Sequence, residues 1–191
     1  MCRRFLVFLM IRAIHDNKIG GELMNQDDNK KEHLPLYGIG PILCFPMAVL
    51  TAVGVFLSEK EYIFGKISNN TVNTILLIIG ILLIIEGVAL FLGADAGGNL
   101  QNDIKDNKLK TNGAYKFVRN PCYTLFLLCS TGAILIERNP LLLILPLLFW
   151  LEMTIVLKNT EEKWLKDLYG QEYVEYCKNV NRCIPWFPKR K

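Results

Sequence analysis

Two polar segments flank a short apolar hairpin, and they carry the side chains that could do chemistry. The first segment covers residues 109–123 and ends at Tyr123, and the second covers residues 161–185 and opens with the pair Glu161 and Glu162. The stretches between them are long enough for about two membrane crossings and are almost free of polar side chains. A few polar groups placed at both mouths of a helical hairpin can close over one ligand from two sides. We therefore expect the two segments to form one binding site.

The rest of the chain has the composition of a membrane scaffold that positions these segments. Hydrophobic residues make up 51% and charged residues 21% of the 191 residues, and the mean hydropathy is +0.25. This balance is typical of apolar spans that alternate with charged loops, and the length fits a single domain. The sequence predicts an all-α fold, a polytopic membrane bundle of about four spans at residues 36–57, 72–92, 121–136 and 141–157.

The segment before the first span differs from the rest in composition. Residues 1–35 are expected to form a polar or interfacial tail, and residues 36–191 the membrane domain. The apolar run at residues 1–14 is too short to span a bilayer and is not followed by the small-residue cleavage site of a signal peptide. It is either an interfacial helix or an upstream extension before a working start at Met24, and the sequence leaves both open.

The basic residues predict the orientation of the chain in the membrane. Of the 22 Lys and Arg residues, six precede the first span, five lie in the connector at residues 93–120, eight lie from Lys158 onward, and three lie in the remaining loops. Basic loops are retained on the cytosolic side. We therefore expect both termini, the connector and the binding site in the cytosol, whether the membrane is a bacterial inner membrane or the endoplasmic reticulum.

Charge and cysteine spacing argue against two kinds of ligand. The net charge of +4 is modest, and no basic patch is interleaved with aromatic residues, so no nucleic-acid partner is expected. The chain has six cysteines and two histidines, and no two cysteines have the two-residue separation of zinc and redox motifs. No metal site is therefore expected, and the lipid bilayer is the main predicted partner.

The segment at residues 160–180 has the periodicity of an amphipathic helix. One face carries apolar and aromatic residues at spacings of three and four, namely Leu165, Tyr169, Tyr173, Tyr176 and Val180. Gly170 interrupts the pattern and predicts a bend or a break. Aromatic residues on one face and lysines elsewhere favour a C-terminal interfacial helix that rests at the level of the lipid headgroups.

These motifs, taken in order, resemble one protein family. The set consists of Gly113-x-Tyr115, Arg119-Asn-Pro-x-Tyr123, the apolar hairpin, Glu161-Glu162, Tyr169-Gly170-x-x-Tyr173-x-x-Tyr176 and Arg182-x-Ile-Pro185. Over about residues 90–187 it resembles the isoprenylcysteine carboxyl methyltransferase family, and the phospholipid N-methyltransferases look like relatives. The resemblance implies an integral membrane methyltransferase that uses S-adenosylmethionine in a helical site and acts on a lipophilic small-molecule or prenylated acceptor.

The resemblance also implies which residues bind the cofactor, within a cofactor-binding half at about residues 93–187. Carried over by position, they are Asn107, Lys108, Leu109, Lys110, Tyr115, Asn120, Pro121, Cys122, Tyr123 and Glu161. The chain departs from the family pattern at two positions. Asn120 stands where the family has histidine, so it can hydrogen-bond but does not titrate near neutral pH. Leu157 stands where the prenylcysteine enzymes have a substrate-binding arginine, with Lys158 beside it.

Four further residues are candidates for contact with the acceptor or for proton transfer. Arg119 could grip a carboxylate or simply mark the membrane boundary, and Lys158 could take the place of the missing arginine. Glu86 and Glu152 lie inside predicted spans, where a carboxyl group is costly and is expected to face protein or a polar cavity. Each is either a packing residue or the group that receives an amine substrate or its proton, with Glu86 the substrate-binding candidate and Glu152 the catalytic one.

Several functions remain open on the sequence alone. The family name favours a prenylcysteine carboxylate as the acceptor, whereas Leu157 and the intramembrane glutamates favour an amine-bearing lipid. An NADPH-dependent membrane reductase similar to the sterol reductases is a second class. A membrane protein that keeps the scaffold without activity is a third.

Overall fold

The computed structural model describes residues 40–94 and 108–187, and within these ranges the chain is helical apart from turns, loops and one isolated β-bridge. Two short 3-10 turns, Gly113–Lys116 and Pro140–Leu143, precede the third and fourth helices. The helices in chain order are α1 (Gly40–Glu59), α2 (Asn70–Ala94), α3 (Pro121–Glu137), α4 (Ile144–Asn159), α5 (Glu161–Tyr169) and α6 (Gln171–Asn179).

The first four helices confirm the predicted spans to within a few residues over the described ranges. Three stretches are long and apolar enough to cross a membrane, namely Ile42–Glu59, Asn70–Ala94 and the run Pro140–Tyr169. The apolar part of that last run ends with α4, and α5 follows a non-helical Thr160 and is polar. Helix α3 has 17 residues, about 25 Å at 1.5 Å per residue, and packs against α1, α2 and α4. It is therefore the short central helix of an all-α membrane bundle.

Helix α2 packs on α3 through small residues. Its buried residues are Gly80, Gly87 and Ala94, which recur every seven positions. A Cβ atom built on Gly80 would lie 2.7 Å from the carbonyl oxygen of Gly132, and one built on Gly132 would lie 2.5 Å from the carbonyl oxygen of Gly80. The two backbones touch here, and side chains would push them apart. Close backbone approach at small residues is the usual way in which helices associate in lipid, where no hydrophobic effect drives them together.

A buried asparagine joins the loops at the end of the bundle opposite the two polar segments. The amide nitrogen of Asn139 donates to Ser58 Oγ at 2.9 Å and to the Ile63 carbonyl at 3.2 Å, and its oxygen accepts from the Leu141 amide. Lys66 pairs with Glu137 at 2.6 Å beside it. These contacts fix the turn between α1 and α2 against the turn between α3 and α4.

The C-terminal helices correct one prediction about the amphipathic segment. As predicted, the helix breaks at Gly170, whose φ is 57°. The aromatic face, however, packs on protein: Tyr173, Tyr176 and Val180 are buried against residues that include Leu109 and residues of the 113–116 turn and of α5. The stripe was expected to lie on the bilayer. An apolar stripe records only that a face is buried, and here residues of the segment before α3, with residues of α5, bury it.

Candidate functional site

The two polar segments meet along a short stretch of paired backbone. Val118 and Asn181 form a parallel bridge, the Arg119 amide donates to the Asn181 carbonyl at 2.9 Å, and the Trp186 amide donates to the Phe117 carbonyl at 3.1 Å. We call residues 181–186 the C-terminal strap. It lies against the segment that enters α3, so residues more than 60 positions apart in the chain share one end of the bundle.

Two further contacts fasten the strap to the start of α3. Both the backbone amide and the side-chain amide of Asn120 donate to the Arg182 carbonyl at 3.2 Å. The Thr124 hydroxyl donates to the Cys183 carbonyl at 2.9 Å and is fully buried. Pro121 follows Asn120 as the first residue of α3, where its missing N–H costs no helical hydrogen bond. The polar run at residues 119–124 therefore both starts the helix and holds the strap.

Tyr123 and Glu161 meet at this end of the bundle. The Tyr123 hydroxyl, on a side chain only 5% exposed, donates to Glu161 Oε1 at 2.5 Å. Tyr123 sits in the first turn of α3 and Glu161 is the first residue of α5, so one contact joins the two segments that the sequence predicted to converge. Glu161 is half-buried, which leaves its carboxylate at the rim.

The 113–116 turn brings a second tyrosine to the same end. Gly113 has a φ of 61°, and a Cβ atom there would lie 3.0 Å from the Gly93 carbonyl at the end of α2, so both backbone conformation and space favour glycine. The turn places Tyr115 against α6, where the Tyr176 hydroxyl donates to the Tyr115 carbonyl at 2.7 Å. The Tyr115 ring packs with the buried tyrosines of α6.

A buried charge network lies beside the Tyr123–Glu161 contact. Glu162, 4% exposed, accepts two hydrogen bonds from Arg182, with Nε at 2.5 Å from Oε1 and Nη2 at 2.9 Å from Oε2. Arg119, whose side chain is 8% exposed, approaches Glu162 Oε1 to 3.1 Å and donates to the Cys177 sulfur. Its Nε has no hydrogen-bond partner among the described residues. Glu162, on α5, thus links the segment before α3 to the strap, and Arg119 extends the network to α6 through Cys177.

The network determines the charge state of Glu162. Burial disfavours the ionised carboxylate, but the hydrogen bonds from Arg182 and the charges of Arg119 and Arg182 outweigh burial and hold the pKa of Glu162 below its usual value. The same bonds raise the pKa of Arg182. Glu162 and Arg182 therefore stay charged across the physiological pH range. With Arg119 and Glu161 added, the cluster contains two arginines and two glutamates, so its formal charge does not repel a cationic ligand.

Nine of the ten residues predicted to bind a cofactor lie within the described ranges. Asn107 lies outside the described residues. Lys108 and Leu109 lead into the 113–116 turn, with Lys108 exposed, its carbonyl near the Tyr169 hydroxyl at 3.4 Å, and Leu109 packed on the buried tyrosines of α6. Lys110 is half-buried, and Cys122 is exposed one residue before Tyr123.

Two positions that depart from the family pattern have structural roles here. The side chain of Asn120 donates a hydrogen bond to the strap. This is consistent with the prediction that asparagine, in place of histidine, can still hydrogen-bond but does not titrate near neutral pH. Leu157 is fully buried in the core cluster with Tyr123, Phe149 and Met153. It packs at the position where a substrate-binding arginine would stand. Lys158 is exposed at the end of α4.

The substrate candidates are not gathered at this site. Arg119 is committed to Glu162 and Cys177, so a substrate carboxylate would have to displace Glu162 from it. Glu86 and Glu152 were expected to face protein or a polar cavity, and this was wrong: both are exposed on the outer surface of the bundle. Each precedes a buried residue, Gly87 in α2 and Met153 in α4, and one helical position turns a side chain by about 100°.

Helix α1 contributes residues that lie next to Tyr123, and the sequence did not indicate them. Cys44 belongs to the buried cluster around Tyr123, and a methyl group at Gly40 would lie 3.6 Å from the Tyr123 hydroxyl oxygen. Neither residue belongs to a recognisable motif, so no local signal could have found them. Glu162 was visible in the sequence as half of an acidic pair, but its partners Arg119 and Arg182 are 43 and 20 positions away.

This arrangement suits one kind of ligand. A rim carboxylate that is positioned by a tyrosine hydroxyl can accept hydrogen bonds from an ammonium group or from sugar hydroxyls. The half-buried tyrosine of the 113–116 turn and the backbone of the preceding residues offer an apolar face and amide groups at the same end of the bundle. Among the described residues no group of three or more His, Cys, Asp or Glu side chains could hold a metal ion.

Comparisons with known proteins agree on the class of protein. The sequence profile of the family described as "Phospholipid methyltransferase" matches residues 69–172. A probable protein-S-isoprenylcysteine O-methyltransferase of Oryza sativa subsp. indica is 29% identical over 143 residues, 72% of this chain and 70% of the relative. The Arabidopsis thaliana protein-S-isoprenylcysteine O-methyltransferase B is 33% identical over 81 residues, 42% of this chain and 41% of the relative. Methanethiol S-methyltransferase 1 of Bradyrhizobium diazoefficiens is 35% identical over 79 residues, which are 41% of this chain and 27% of the relative. No solved structure matches the chain.

Proposed function

We propose, since this chain belongs to the phospholipid methyltransferase family, that it transfers a methyl group from S-adenosylmethionine to a lipophilic acceptor in a membrane. The observation that carries the proposal is the contact between Tyr123 and Glu161, which brings the two polar segments together at one end of an apolar bundle. The distribution of basic residues favours the cytosolic side for this end.

The residues present fit this cofactor. Glu161 would accept hydrogen bonds from the ammonium group or the ribose hydroxyls, and Tyr123 would hold the carboxylate in place. Tyr115, with Lys108, Leu109 and Lys110 and the backbone before the turn, would frame the remainder. When bound, adenosylmethionine supplies a methyl group already activated by a sulfonium. The protein's main task is then to align donor and acceptor, which is catalysis by proximity and orientation.

The acceptor that we propose first is a prenylcysteine carboxylate or a similar lipid-linked acid. The support is the names of the plant relatives, which are protein-S-isoprenylcysteine O-methyltransferases. A carboxylate is already a nucleophile at neutral pH and needs no base. Lys158 is exposed at the end of α4, three residues before Glu161, and is the residue that we propose to attract the acid. Arg119 would serve only if the acid displaced Glu162.

An amine-bearing lipid is the alternative acceptor, and one observation favours it. Leu157 is buried in the core at the position of the family's arginine, so the side chain that would recognise a carboxylate is missing. An ammonium group must lose a proton before it can attack a methyl group. Glu152 or Glu86, exposed on the outer surface of the bundle, could attract the amine from the bilayer and take its proton.

Product chemistry distinguishes the two acceptors. Proteoliposomes supplied with methyl-labelled adenosylmethionine and either a farnesylcysteine or an amine phospholipid should label one of the two. A methyl ester releases volatile methanol in base, whereas an N-methyl group does not. Glu152→Gln should lower the rate with the amine lipid and leave an ester-forming reaction unchanged. Undiminished turnover of the amine lipid by that variant would remove Glu152 from the scheme.

Titration tests the donor and the competing classes. Calorimetry of the purified protein should detect adenosylhomocysteine and give no heat with NADPH. A dinucleotide pyrophosphate is best bound by free cations, and the two arginines at this site, Arg119 and Arg182, are both paired with Glu162. Binding of NADPH alone would favour the reductase class. Binding of neither compound would favour a scaffold without activity and would overturn the proposal.

A further inference from the structure

Four apolar side chains lie together beside the proposed binding site, and other described residues leave them exposed. We call it the apolar lip, and its members are Phe117 (38% exposed), Ile184 (49%), Trp186 (67%) and Phe187 (75%). Phe117 and Phe187 contact each other edge to face, with ring centroids 6.1 Å apart. Large aromatic side chains exposed together usually mark a surface that another phase or partner covers.

The lip is held in place by backbone pairing. The Trp186 amide donates to the Phe117 carbonyl, and the strap that carries Ile184 and Trp186 is fastened to Asn120 and Thr124. The aromatic side chains are therefore presented on a fixed backbone. Burying such rings elsewhere in the protein would require the strap to detach from α3.

The position of the lip matches the membrane boundary. Phe117 directly follows the 113–116 turn, whose Gly113 and Ala114 lie against Gly93 at the end of span α2. Pro121, four residues after Phe117, is the first residue of span α3. The lip is thus level with the ends of two spans, at the depth where Trp and other aromatic residues prefer to lie.

The other aromatic group at this end cannot make the membrane contact. Tyr173 and Tyr176 face the connector and are buried in protein. The charge next to the lip also suits a lipid surface, because Lys116 is exposed immediately before Phe117. In the sequence, Lys189, Arg190 and Lys191 follow Phe187.

We propose that the apolar lip inserts into the boundary between headgroups and acyl chains of the bilayer, and that it holds the mouth of the Tyr123–Glu161 site at headgroup depth. The insertion does not depend on the proposed function. The consequence of the insertion does rest on that function. A lipid acceptor reaches the methyl donor while its chain stays in the bilayer, because Ile184 and Trp186 of the lip belong to the strap that contacts the start of α3.

The three tryptophans of the chain allow a direct test of depth. Trp150→Phe with Trp164→Phe leaves Trp186 alone, and Trp164→Phe with Trp186→Phe leaves Trp150, near the middle of α4, as a deep reference. Both proteins are reconstituted in phosphatidylcholine vesicles brominated either near the headgroup or near the acyl-chain ends. Trp186 should be quenched more by the shallow label and Trp150 more by the deep one. The insertion is overturned if Trp186 is quenched by aqueous iodide and by neither brominated lipid. It is also overturned if none of these quenchers reaches Trp186, because protein then covers the side chain.

A second variant tests the consequence. Trp186→Ser with Phe187→Ser should leave the affinity for adenosylhomocysteine unchanged and raise the KM for a long-chain acceptor several-fold, with little change for a short-chain soluble analogue. An equal change for both acceptors would contradict delivery through the lip. Failure of the wild-type protein to bind adenosylhomocysteine would instead defeat the proposed function, and the quenching result would still stand.

Discussion

Replacing Glu162 by glutamine should destabilise the end of the bundle that carries the site. The substitution keeps the shape of the side chain and removes its charge, so the guanidinium groups of Arg119 and Arg182 lose the carboxylate with which they pair, while both remain largely shielded from solvent. Removing one partner of a buried ion pair costs about 3–5 kcal/mol. Arg182 is partly exposed, so we expect the lower figure, about 3 kcal/mol, or a fall in Tm on the order of 10 °C.

The stability lost in Glu162→Gln should depend on pH in a defined direction. The pKa of Glu162 is lower in the folded protein than its ordinary value, so its contribution to stability is complete above the unfolded-state pKa and is lost as the pH falls through the folded-state pKa. The difference in Tm between wild type and Glu162→Gln should therefore be largest near neutral pH. It should shrink as the pH falls from the ordinary glutamate range through the lower folded-state pKa, where wild-type Glu162 also becomes protonated.

The assay is thermal unfolding in detergent micelles, with Glu172→Gln as the matched control. Glu172 is an exposed carboxylate in the first turn of α6, and its replacement should change stability by no more than about 0.5 kcal/mol. The double variant Glu162→Gln with Arg182→Gln should recover part of the loss, because it removes an uncompensated charge. If Glu162→Gln has the same Tm as the wild type and the control at neutral pH, the network does not stabilise the fold and the prediction is refuted.

Three further substitutions test the packing of the bundle. Gly132→Ala should lower the Tm by several degrees, because its methyl group would lie 2.5 Å from the Gly80 carbonyl and overpacking costs about 1–3 kcal/mol. Asn139→Ala should cost about 1–3 kcal/mol in denaturant unfolding, since it leaves Ser58 and two backbone groups without their partner. Tyr176→Phe should cost about 1 kcal/mol through the lost hydrogen bond to the 113–116 turn and should weaken adenosylhomocysteine binding measurably.

A specific experimental result would contradict each of these three predictions. Gly40→Ala is the control for Gly132→Ala, because its methyl group meets Tyr123 at an ordinary 3.6 Å, and equal stability of the two variants would contradict the close crossing. Asn139→Ala should leave ligand affinity of the folded protein intact, since it acts at the opposite end of the bundle. Tyr176→Phe with wild-type stability and affinity would show that the turn is positioned by packing alone.

The spans and the meeting of the two segments were predictable because each rests on a local or periodic signal. Apolar runs of suitable length indicated four spans, and Pro121 and Gly170 mark the start of α3 and the break between α5 and α6 as expected. The stripe of Gly80, Gly87 and Ala94 was also visible at a seven-residue spacing, and it could have identified the face of α2 that packs on α3.

Other features could not be predicted because they depend on which partners the fold brings together. Arg119 has the same sequence context whether it binds substrate, marks the boundary or pairs with Glu162, and only tertiary structure decides. The aromatic stripe that includes Tyr173 would suit lipid or protein equally, and it packs on protein. Glu86 and Glu152 were expected inside the bundle because their helices cross a membrane, but the helical rotation turns both outward.

The most direct test of the account is the affinity of the purified protein for adenosylhomocysteine with and without the Glu161 carboxylate. We predict that the wild type binds and that Glu161→Gln, with an unchanged Tm, binds at least about tenfold more weakly, as expected when a hydrogen-bonded charge worth about 1.5–3 kcal/mol is lost. Glu175→Gln, an exposed carboxylate on α6, should bind as the wild type does. Equal affinity of Glu161→Gln and the wild type would contradict a donor site at the Tyr123–Glu161 contact.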